Sequence, residues 1–266
     1  MRTTSADGGH VGWINEGQGP AILVIHPGSS DATSWEGVAA RLSSRFRVAR
    51  IQRRLYAADG PPARHAMASE VDDVLAVAAA MGAPLVLVGH SSGAVVALEC
   101  ARTAPATFAG ILLYEPPVAV TRPLGGDALR RARAALDAGD PGRAMAIHLR
   151  DIVQVPRWQI AAIRLTPSIW RRMRAYAPPQ IMDDEAIEAL GVGLDRYAGI
   201  EVPTCLLGGD RSPANLRDRL DALAQALPRV TSVVHLRRQG HAAHLTDPIQ
   251  VAWAVEDFAD AVLGRH

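Results

Sequence analysis

Short runs of apolar residues alternate along this chain with longer stretches whose apolar residues recur at helical spacing. The short runs lie at 21–27, 46–52, 84–90, 108–115, 202–208 and 231–237. Several of them are almost entirely apolar, which is typical of parallel strands buried on both faces of a sheet. The periodic stretches predict helices. They lie at about 34–44, 68–82, 92–104, 213–227 and 247–263. This alternation predicts an α/β fold with a mainly parallel sheet flanked by helices.

One long stretch departs from the alternation, because no strand pattern is found between about Val118 and Ile200. It contains Arg-rich helical segments near 126–138, 142–152, 157–175 and 183–197. Breaker residues separate these segments, at Pro123 with Gly125 and Gly126, at Gly139 to Pro141 and at Pro178 with Pro179. The strand pattern resumes at 202. We therefore predict a helical insertion at 118–200 within one core domain, formed by residues 1–117 and 201–266.

Composition and charge exclude several classes of protein. The chain has 28 basic and 27 acidic residues and a formal charge of +1, so it has no net field to gather nucleic acid or an anionic membrane. All the basic residues are arginines. The absence of lysine excludes Schiff-base chemistry and a phosphate-loop lysine. The two cysteines, Cys100 and Cys205, form no CxxC pair, and the sequence indicates neither a metal nor a cofactor.

Targeting signals are also missing from the sequence. Residues 1–10 are polar and contain no apolar signal segment. No apolar run reaches the roughly 18 residues that a membrane span requires. We therefore expect a cytoplasmic protein without a membrane span, and no feature of the sequence indicates its oligomeric state.

The strongest chemical motif is Gly89-His90-Ser91-Ser92-Gly93, which follows one predicted strand and opens the next predicted helix. A serine on such a tight turn projects its hydroxyl above the edge of the sheet. The flanking glycines permit the turn because they carry no Cβ. The N–H of Ser92, at the start of the helix, can then donate to an oxyanion. Ser91 is the candidate nucleophile, and the alternative is a glycine-rich turn without catalysis.

A second motif, His26-Pro27-Gly28-Ser29, directly follows the strand predicted at 21–27. Loops at the carboxyl edge of an open α/β sheet bind ligands. A small residue here exposes a backbone N–H that can complete an oxyanion hole together with Ser92. Gly28 is the first candidate for this donor and Ser29 the alternative, whereas His26 is interpreted as a structural residue that holds the loop.

A third motif, Gly240-His241, lies between the last predicted strand and the last predicted helix. The base follows the last strand in chains with the order serine, acid, histidine. His241 is therefore the candidate base, and His244 in the same loop is the alternative. The acid has two candidates, Glu115 at the end of the strand at 108–115 and Asp210 after the strand at 202–208. A carboxylate placed like Glu115, where an apolar strand meets the insertion, needs a charged partner.

In this order and context, the segments HPGS, GHSSG and GHAAHLTDP resemble the α/β-hydrolase superfamily from about Ile22 to the C-terminus. The resemblance implies a Ser-His-acid triad, an oxyanion hole and a helical cap, here residues 118–200, over the pocket. Two departures stand out. Pro27 replaces the family's usual glycine, and the segment 52–56 (QRRLY) lacks the usual acidic start and glycine.

The resemblance leaves the acid open. The usual family position lies near Asp210, but counting from Gly208 places Arg211 in the expected slot. Some members, including haloalkane dehalogenases and zearalenone lactonases, are similar to this chain in having an acid where Glu115 lies. We favour Glu115 and keep Asp210 as the alternative.

These features predict a serine hydrolase that cleaves a carboxylic ester or lactone through an acyl-enzyme. Glu115 follows Ser91 by 24 residues, a spacing similar to that of zearalenone lactonases, which suggests a macrocyclic lactone substrate. The alternatives are a non-hydrolytic member of the same fold, such as a cyclase, lyase or perhydrolase, and a ligand-binding protein with very slow turnover. The predicted substrate contacts are apolar. They are Trp35, Trp158, Trp170 and Met173.

Overall fold

The computed structural model describes residues 1–62 and 65–264 of the 266-residue chain. Within this part, eight strands form one sheet in the order β1-β2-β4-β3-β5-β6-β7-β8. The strands are β1 (Arg2–Thr4), β2 (His10–Glu16), β3 (Ala21–Ile25), β4 (Arg47–Gln52), β5 (Leu85–His90), β6 (Phe108–Tyr114), β7 (Thr204–Gly209) and β8 (Val230–Leu236). The strands β1, β2 and β4 pair antiparallel, whereas β4, β3, β5, β6, β7 and β8 pair parallel. The predicted mainly parallel sheet is confirmed.

Five of the six apolar runs correspond to strands that are largely buried on both faces, whereas the sixth is β8, a partly exposed strand at the edge of the sheet. In β3, Ile22 and Val24 pack into the hydrophobic cluster on one face of the sheet, and Leu23 and Ile25 into the cluster on the other. Successive side chains of a strand point to opposite faces, so a strand covered on both sides must be apolar throughout.

Eleven α-helices are found in the described residues. They are α1 (Glu36–Leu42), α2 (Met67–Met81), α3 (Ser92–Thr103), α4 (Asp127–Asp137), α5 (Pro141–Ile147), α6 (Arg157–Leu165), α7 (Pro167–Ala175), α8 (Ala177–Glu188), α9 (Ala214–Ala226), α10 (Ala243–Thr246) and α11 (Pro248–Leu263). Helices α1 and α11 cover one face of the sheet, whereas α2, α3 and α9 cover the other. None of the described helices is long and apolar enough to cross a membrane.

Five of these helices, α4 to α8, lie between β6 and β7, where the sequence predicts the insertion. Two of the predicted bounds are wrong. The stretch 157–175 is two helices, because Pro167 begins the new helix α7. The helix predicted near 183–197 begins at Ala177, because Pro178 and Pro179 lie in the first turn of α8. Proline is tolerated there because the first N–H groups of a helix have no intrahelical acceptor.

The two N-terminal strands are absent from the sequence prediction. Strand β1 has three residues, and β2 buries Val11 and Trp13 while its other side chains are partly or fully exposed. β1 lies at the edge of the sheet and is too short to form an apolar run, and β2 beside it has only one covered face, so neither shows the run that identified the other six strands.

A close approach of α3 to β3 yields a stability prediction. A Cβ on Gly93 would lie 2.6 Å from the carbonyl oxygen of His26 and 2.7 Å from that of Ile25, whereas a Cβ on Gly199 would meet no atom within 4 Å. We expect Gly93→Ala to lower the free energy of unfolding by about 1–3 kcal/mol or more, because a backbone must move to admit the methyl group. Gly199→Ala, the matched control, should change it by less than about 0.5 kcal/mol. Urea unfolding of both variants measures the difference, and equal effects would contradict the prediction.

Candidate active site

The candidate nucleophile Ser91 lies on the turn between β5 and α3. Its backbone has φ +54° and ψ −124°, a conformation that residues with a Cβ rarely adopt and that stores roughly 1–3 kcal/mol of strain. Two hydrogen bonds hold it: the Ser91 N–H donates to the Tyr114 carbonyl at 2.8 Å, and the Ser91 carbonyl accepts from the Ala94 N–H at 2.8 Å. Ser91 is half-buried and lines a cavity. The turn thus presents Ser91 to the cavity.

The candidate base His241 pairs with Glu115. Its Nδ1 lies 2.6 Å from Oε2 of Glu115, whose Oε1 accepts the Gly209 N–H at 2.8 Å. The Glu115 side chain is only 1% exposed, and its burial raises the pKa, but the hydrogen bond and charge of His241 outweigh this effect and the pKa lies below its ordinary value. An ionised Glu115 requires the proton on Nδ1. The Nε2 of neutral His241 is then free to act as a base.

Two aromatic side chains from the sheet hold the loop that carries His241. The Tyr114 hydroxyl donates to the Gly240 carbonyl at 2.5 Å, and His90 Nε2 lies 3.0 Å from the His241 carbonyl. Because a carbonyl only accepts, His90 must carry its proton on Nε2. Burial and the neighbouring His244 and His241 lower the pKa of His90 well below its ordinary value, so the ring is neutral. The base is therefore held in place by its backbone as well as by Glu115.

The two alternative candidates have other surroundings. Asp210 is exposed after β7, and its backbone N–H and carbonyl bond to Leu236 and Arg217. Within the described chain its carboxylate has no hydrogen bond to His241. His244 is buried and stacks on Trp35 with ring centroids 5.6 Å apart, and burial and His241 lower its pKa to about 3. No described carboxylate pairs with it.

The candidate oxyanion donors lie together on the cavity wall. Gly28, Ser29 and Ser92 line the cavity beside Ser91. A Cβ on Gly28 would lie 2.3 Å from Oε1 of Gln180, so this loop position has no room for a side chain while α8 packs on it. Ser92 opens α3, where the first N–H groups have no intrahelical acceptor. The choice between Gly28 and Ser29 stays a prediction.

His26 connects the loop of Gly28 to the end of β4. Its Nδ1 lies 2.7 Å from the Pro27 carbonyl, and its Nε2 accepts the Arg53 N–H at 3.3 Å. Burial and the charge of Arg53 lower the pKa of His26 to about 3. The neutral ring therefore joins two loops, in keeping with the structural role expected of it.

A buried cation lies beneath the candidate site, in the segment where the sequence departs from the family pattern. The guanidinium of Arg53 donates to both carboxylate oxygens of Glu70 at 3.0 Å, to Asp183 at 2.8 Å and to the Ser92 hydroxyl at 2.8 Å. Asp183 also accepts from the Tyr56 hydroxyl at 2.7 Å. Glu70, Ser92 and Asp183 belong to α2, α3 and α8, so Arg53 joins the insertion to the helix of Ser92.

The same carboxylates enter the one cluster of potential metal ligands found among the described residues. Ligand atoms of His65, Glu70 and Asp183 lie within 4.8 Å of one another. The Arg53 guanidinium already bonds to both carboxylates and takes the place that a cation would occupy between them. The cluster is therefore explained as an ion-pair network.

The cavity beside Ser91 has a volume of about 360 Å³ and largely apolar walls. The insertion and α9 supply most of its apolar lining, including Leu149, Ile152, Val155, Ile163, Met173 and Leu216. Among the predicted substrate contacts, Met173 lines the cavity. The three tryptophans do not line it. Trp35 is buried on the face of the sheet that α1 and α11 cover. Trp158 is 71% exposed, and Trp170 packs beneath Arg164.

Three buried polar residues of the cavity wall are absent from the sequence prediction. They are His148, Gln180 and Asp184. Gln180 and Asp184 are four residues apart and therefore lie on the same face of α8, which is the one signal that the sequence offered. Nothing in the sequence indicates that this face meets His148.

Comparison with known proteins agrees with this architecture. Residues 22–255 match the model of the alpha/beta hydrolase family, and the chain belongs to this family. An alpha/beta hydrolase from Sphaerobacter thermophilus is 27% identical, with a TM-score of 0.85 over 97% of this chain and 99% of that one. An esterase from Thermogutta terrifontis is 21% identical, with a TM-score of 0.78 over 98% of each chain. A structure described as Est816, an N-acyl homoserine lactone degrading enzyme, is 23% identical, with a TM-score of 0.75 over 96% and 99%.

The Arg53 network yields a second stability prediction. Arg53→Met should lower the free energy of unfolding by about 3–5 kcal/mol, because it leaves two buried carboxylates without their cation. The control is Arg102→Met, which removes a half-exposed cation from Glu99. Because Glu99 still pairs with Arg196, this change should alter the free energy of unfolding by less than about 1 kcal/mol. Urea unfolding of the two variants tests this difference. A loss for Arg53→Met no larger than for Arg102→Met would show that the network contributes little.

Proposed function

We propose that this protein is a serine hydrolase that cleaves a carboxylic ester or lactone through an acyl-enzyme. The observation that carries the proposal is the contact of His241 with Glu115. His241 Nδ1 lies 2.6 Å from Oε2 of Glu115, and His241 lines the same cavity as Ser91. An esterase and a lactone-degrading enzyme are among the proteins of similar structure, which supports this chemistry. The more particular resemblance to zearalenone lactonases stays a prediction.

In the proposed reaction, the Ser91 hydroxyl attacks the carbonyl carbon of the substrate while His241 Nε2 takes its proton. The tetrahedral oxyanion accepts hydrogen bonds from the N–H groups of Ser92 and Gly28, each contributing roughly 3 kcal/mol to stabilising the transition state. His241 then passes the proton to the leaving alcohol. A water molecule, deprotonated by His241, attacks the acyl-enzyme. The bond to Ser91 then breaks, and His241 returns the proton to the Ser91 oxygen as the acid is released.

Glu115 is the acid in this proposal. Its carboxylate holds the Nδ1 proton of His241 and stabilises the imidazolium that forms when Nε2 takes the serine proton. The lowered pKa of Glu115 keeps it charged at neutral pH, as this role requires. Asp210 is exposed and has no such contact among the described residues.

The insertion at 118–200 is proposed to act as a cap. Its apolar side chains form much of the cavity wall, and a substrate enclosed there is removed from water. The lining favours small-molecule esters or lactones with an apolar body.

Labelling by a fluorophosphonate probe tests the nucleophile. We expect rapid single labelling of the wild-type protein at Ser91, and loss of both labelling and ester hydrolysis in Ser91→Ala, because no other serine has the proposed base and oxyanion donors. Mass spectrometry of the intact and digested protein measures the label. Ser44→Ala, which changes an exposed serine, should label like the wild type. An unchanged hydrolysis rate in Ser91→Ala would refute the mechanism.

The two candidate acids are compared by matched amide substitutions. Glu115→Gln should lower kcat by up to about 10⁴-fold, because the amide no longer holds the required tautomer of His241. Asp210→Asn should leave kcat within about twofold, since its carboxylate has no hydrogen bond to His241. Steady-state kinetics on one activated ester suffices for the comparison. A larger loss for Asp210→Asn would transfer the role to Asp210.

A further inference from the structure

A second histidine–carboxylate pair lines the same cavity. His148 follows α5 and Asp184 lies in α8, with Nδ1 of His148 2.6 Å from Oδ2 of Asp184. Both side chains are buried, and both lie on the cavity wall. The proposed hydrolysis uses neither of them.

This pair is connected to the loop of the candidate oxyanion donors. The other carboxylate oxygen of Asp184 accepts from Nε2 of Gln180 at 3.0 Å, and Oε1 of Gln180 accepts from the Ser29 hydroxyl at 2.8 Å. A chain of hydrogen bonds therefore runs from His148 through α8 to Ser29. Its two ends lie on the wall of one cavity.

Charge balance indicates which group His148 presents to the cavity. Arg53 carries one positive charge but is bonded to both Glu70 and Asp183, and among the described residues the one cation-forming group bonded to Asp184 is His148. His148 and Asp184 are both buried, unlike the partly exposed His241, so a net-negative pair would add a further uncompensated charge beside Asp183 and Glu70, which is strongly unfavourable. In the net-neutral pair, the shared proton lies on Nδ1 or on Asp184, and Nε2 carries a proton in both cases.

The Nε2–H of His148 is thus a donor without a partner. Among the described residues no hydrogen bond to this nitrogen is found, and the neighbouring wall from Leu149, Ile152 and Met173 is apolar. When an apolar substrate fills the cavity and excludes water, this donor would be left unsatisfied at a cost of about 1–3 kcal/mol, which an acceptor on the bound molecule avoids.

We infer that the cavity selects substrates carrying a second acceptor oxygen, a ketone, ether or amide oxygen distinct from the scissile carbonyl, which accepts a hydrogen bond from His148 Nε2–H. This inference rests on the proposed function and specifies its substrate class as oxygenated esters or lactones. Asp184 and Gln180 are positioning residues: Asp184 orients the imidazole, and Gln180 joins it to the loop of Ser29.

Matched ester pairs test the selectivity. Each pair consists of a nitrophenyl ester of a straight-chain acid and the ester in which one CH₂ is replaced by a ketone, for chains of five to seven carbons. A parallel series of acetates carries the ketone in the alcohol part. We expect the wild type to favour the keto ester of at least one pair by about tenfold in kcat/KM. His148→Met should abolish this preference, and His148→Gln, which keeps an N–H donor, should retain part of it.

His235→Met, which changes an exposed histidine, is the matched control and should keep the wild-type preference. No preference in any pair, or the same preference in His148→Met as in the wild type, would overturn the inference. Equal losses on both members of every pair would also overturn it, because they would show a structural role only.

A binding experiment separates this inference from the proposed hydrolysis. Methyl keto esters and their alkyl counterparts are titrated into Ser91→Ala protein with ¹⁵N-labelled histidine. The His148 Nε2 resonance, assigned by its loss in His148→Met, should shift with a keto ester and not with its alkyl counterpart. A shift in a protein whose wild type hydrolyses no ester would refute the hydrolase proposal and leave the binding site standing. No shift with any keto ester would overturn the binding site.

Discussion

The buried charge of Arg53 is the constraint on which the arrangement of this site depends. A guanidinium removed from water must find acceptors for its donors, and here they come from three separate helices. Glu70 belongs to α2, Ser92 to the start of α3, and Asp183 to the insertion. Because each partner also has its own place in the packing, the cation sets how the insertion meets the turn of Ser91. The cavity is the space that remains between them.

The histidines of two histidine–carboxylate pairs line the cavity, and the surroundings of the two pairs differ. His241 is 31% exposed, and its partner Glu115 receives a backbone N–H that helps to keep the carboxylate ionised. His148 is buried beside Asp184, whose pKa is raised by burial and by the neighbouring Asp183, although His148 and Gln180 lower it. The first pair is suited to accept a proton at Nε2, and the second to donate a hydrogen bond from Nε2. One type of pair thus provides two different groups to one cavity.

Much of the fold follows from local patterns in the chain. Six of the eight strands are found where apolar runs predicted them, since parallel strands between two helical layers admit few polar residues. The motif around Ser91 was recognisable partly because the contact that requires glycine at Gly89, with Ala94, lies within a few residues. Strand β1 was missed because it has only three residues, and β2 because only one of its faces is covered, so it forms no continuous apolar run.

The partners within the candidate site could not be derived in the same way. Glu115 and Asp210 both follow a strand at the carboxyl edge of the sheet, and only the fold of the loops places Glu115 beside His241. The three tryptophans expected as substrate contacts do not line the cavity, because neither helical spacing nor closeness to a loop in sequence shows which surface a side chain meets. His148 and Asp184 are 36 residues apart, one after α5 and the other in α8.

By itself, then, the sequence determined the α/β fold, the helical insertion and the candidate nucleophile and base, because these depend on periodicity and on contacts close along the chain. Only the tertiary structure decided which carboxylate meets His241, which residues line the cavity and how Arg53 is neutralised. These features arise from side chains that are distant in sequence, and their proximity depends on how the helices pack over the sheet.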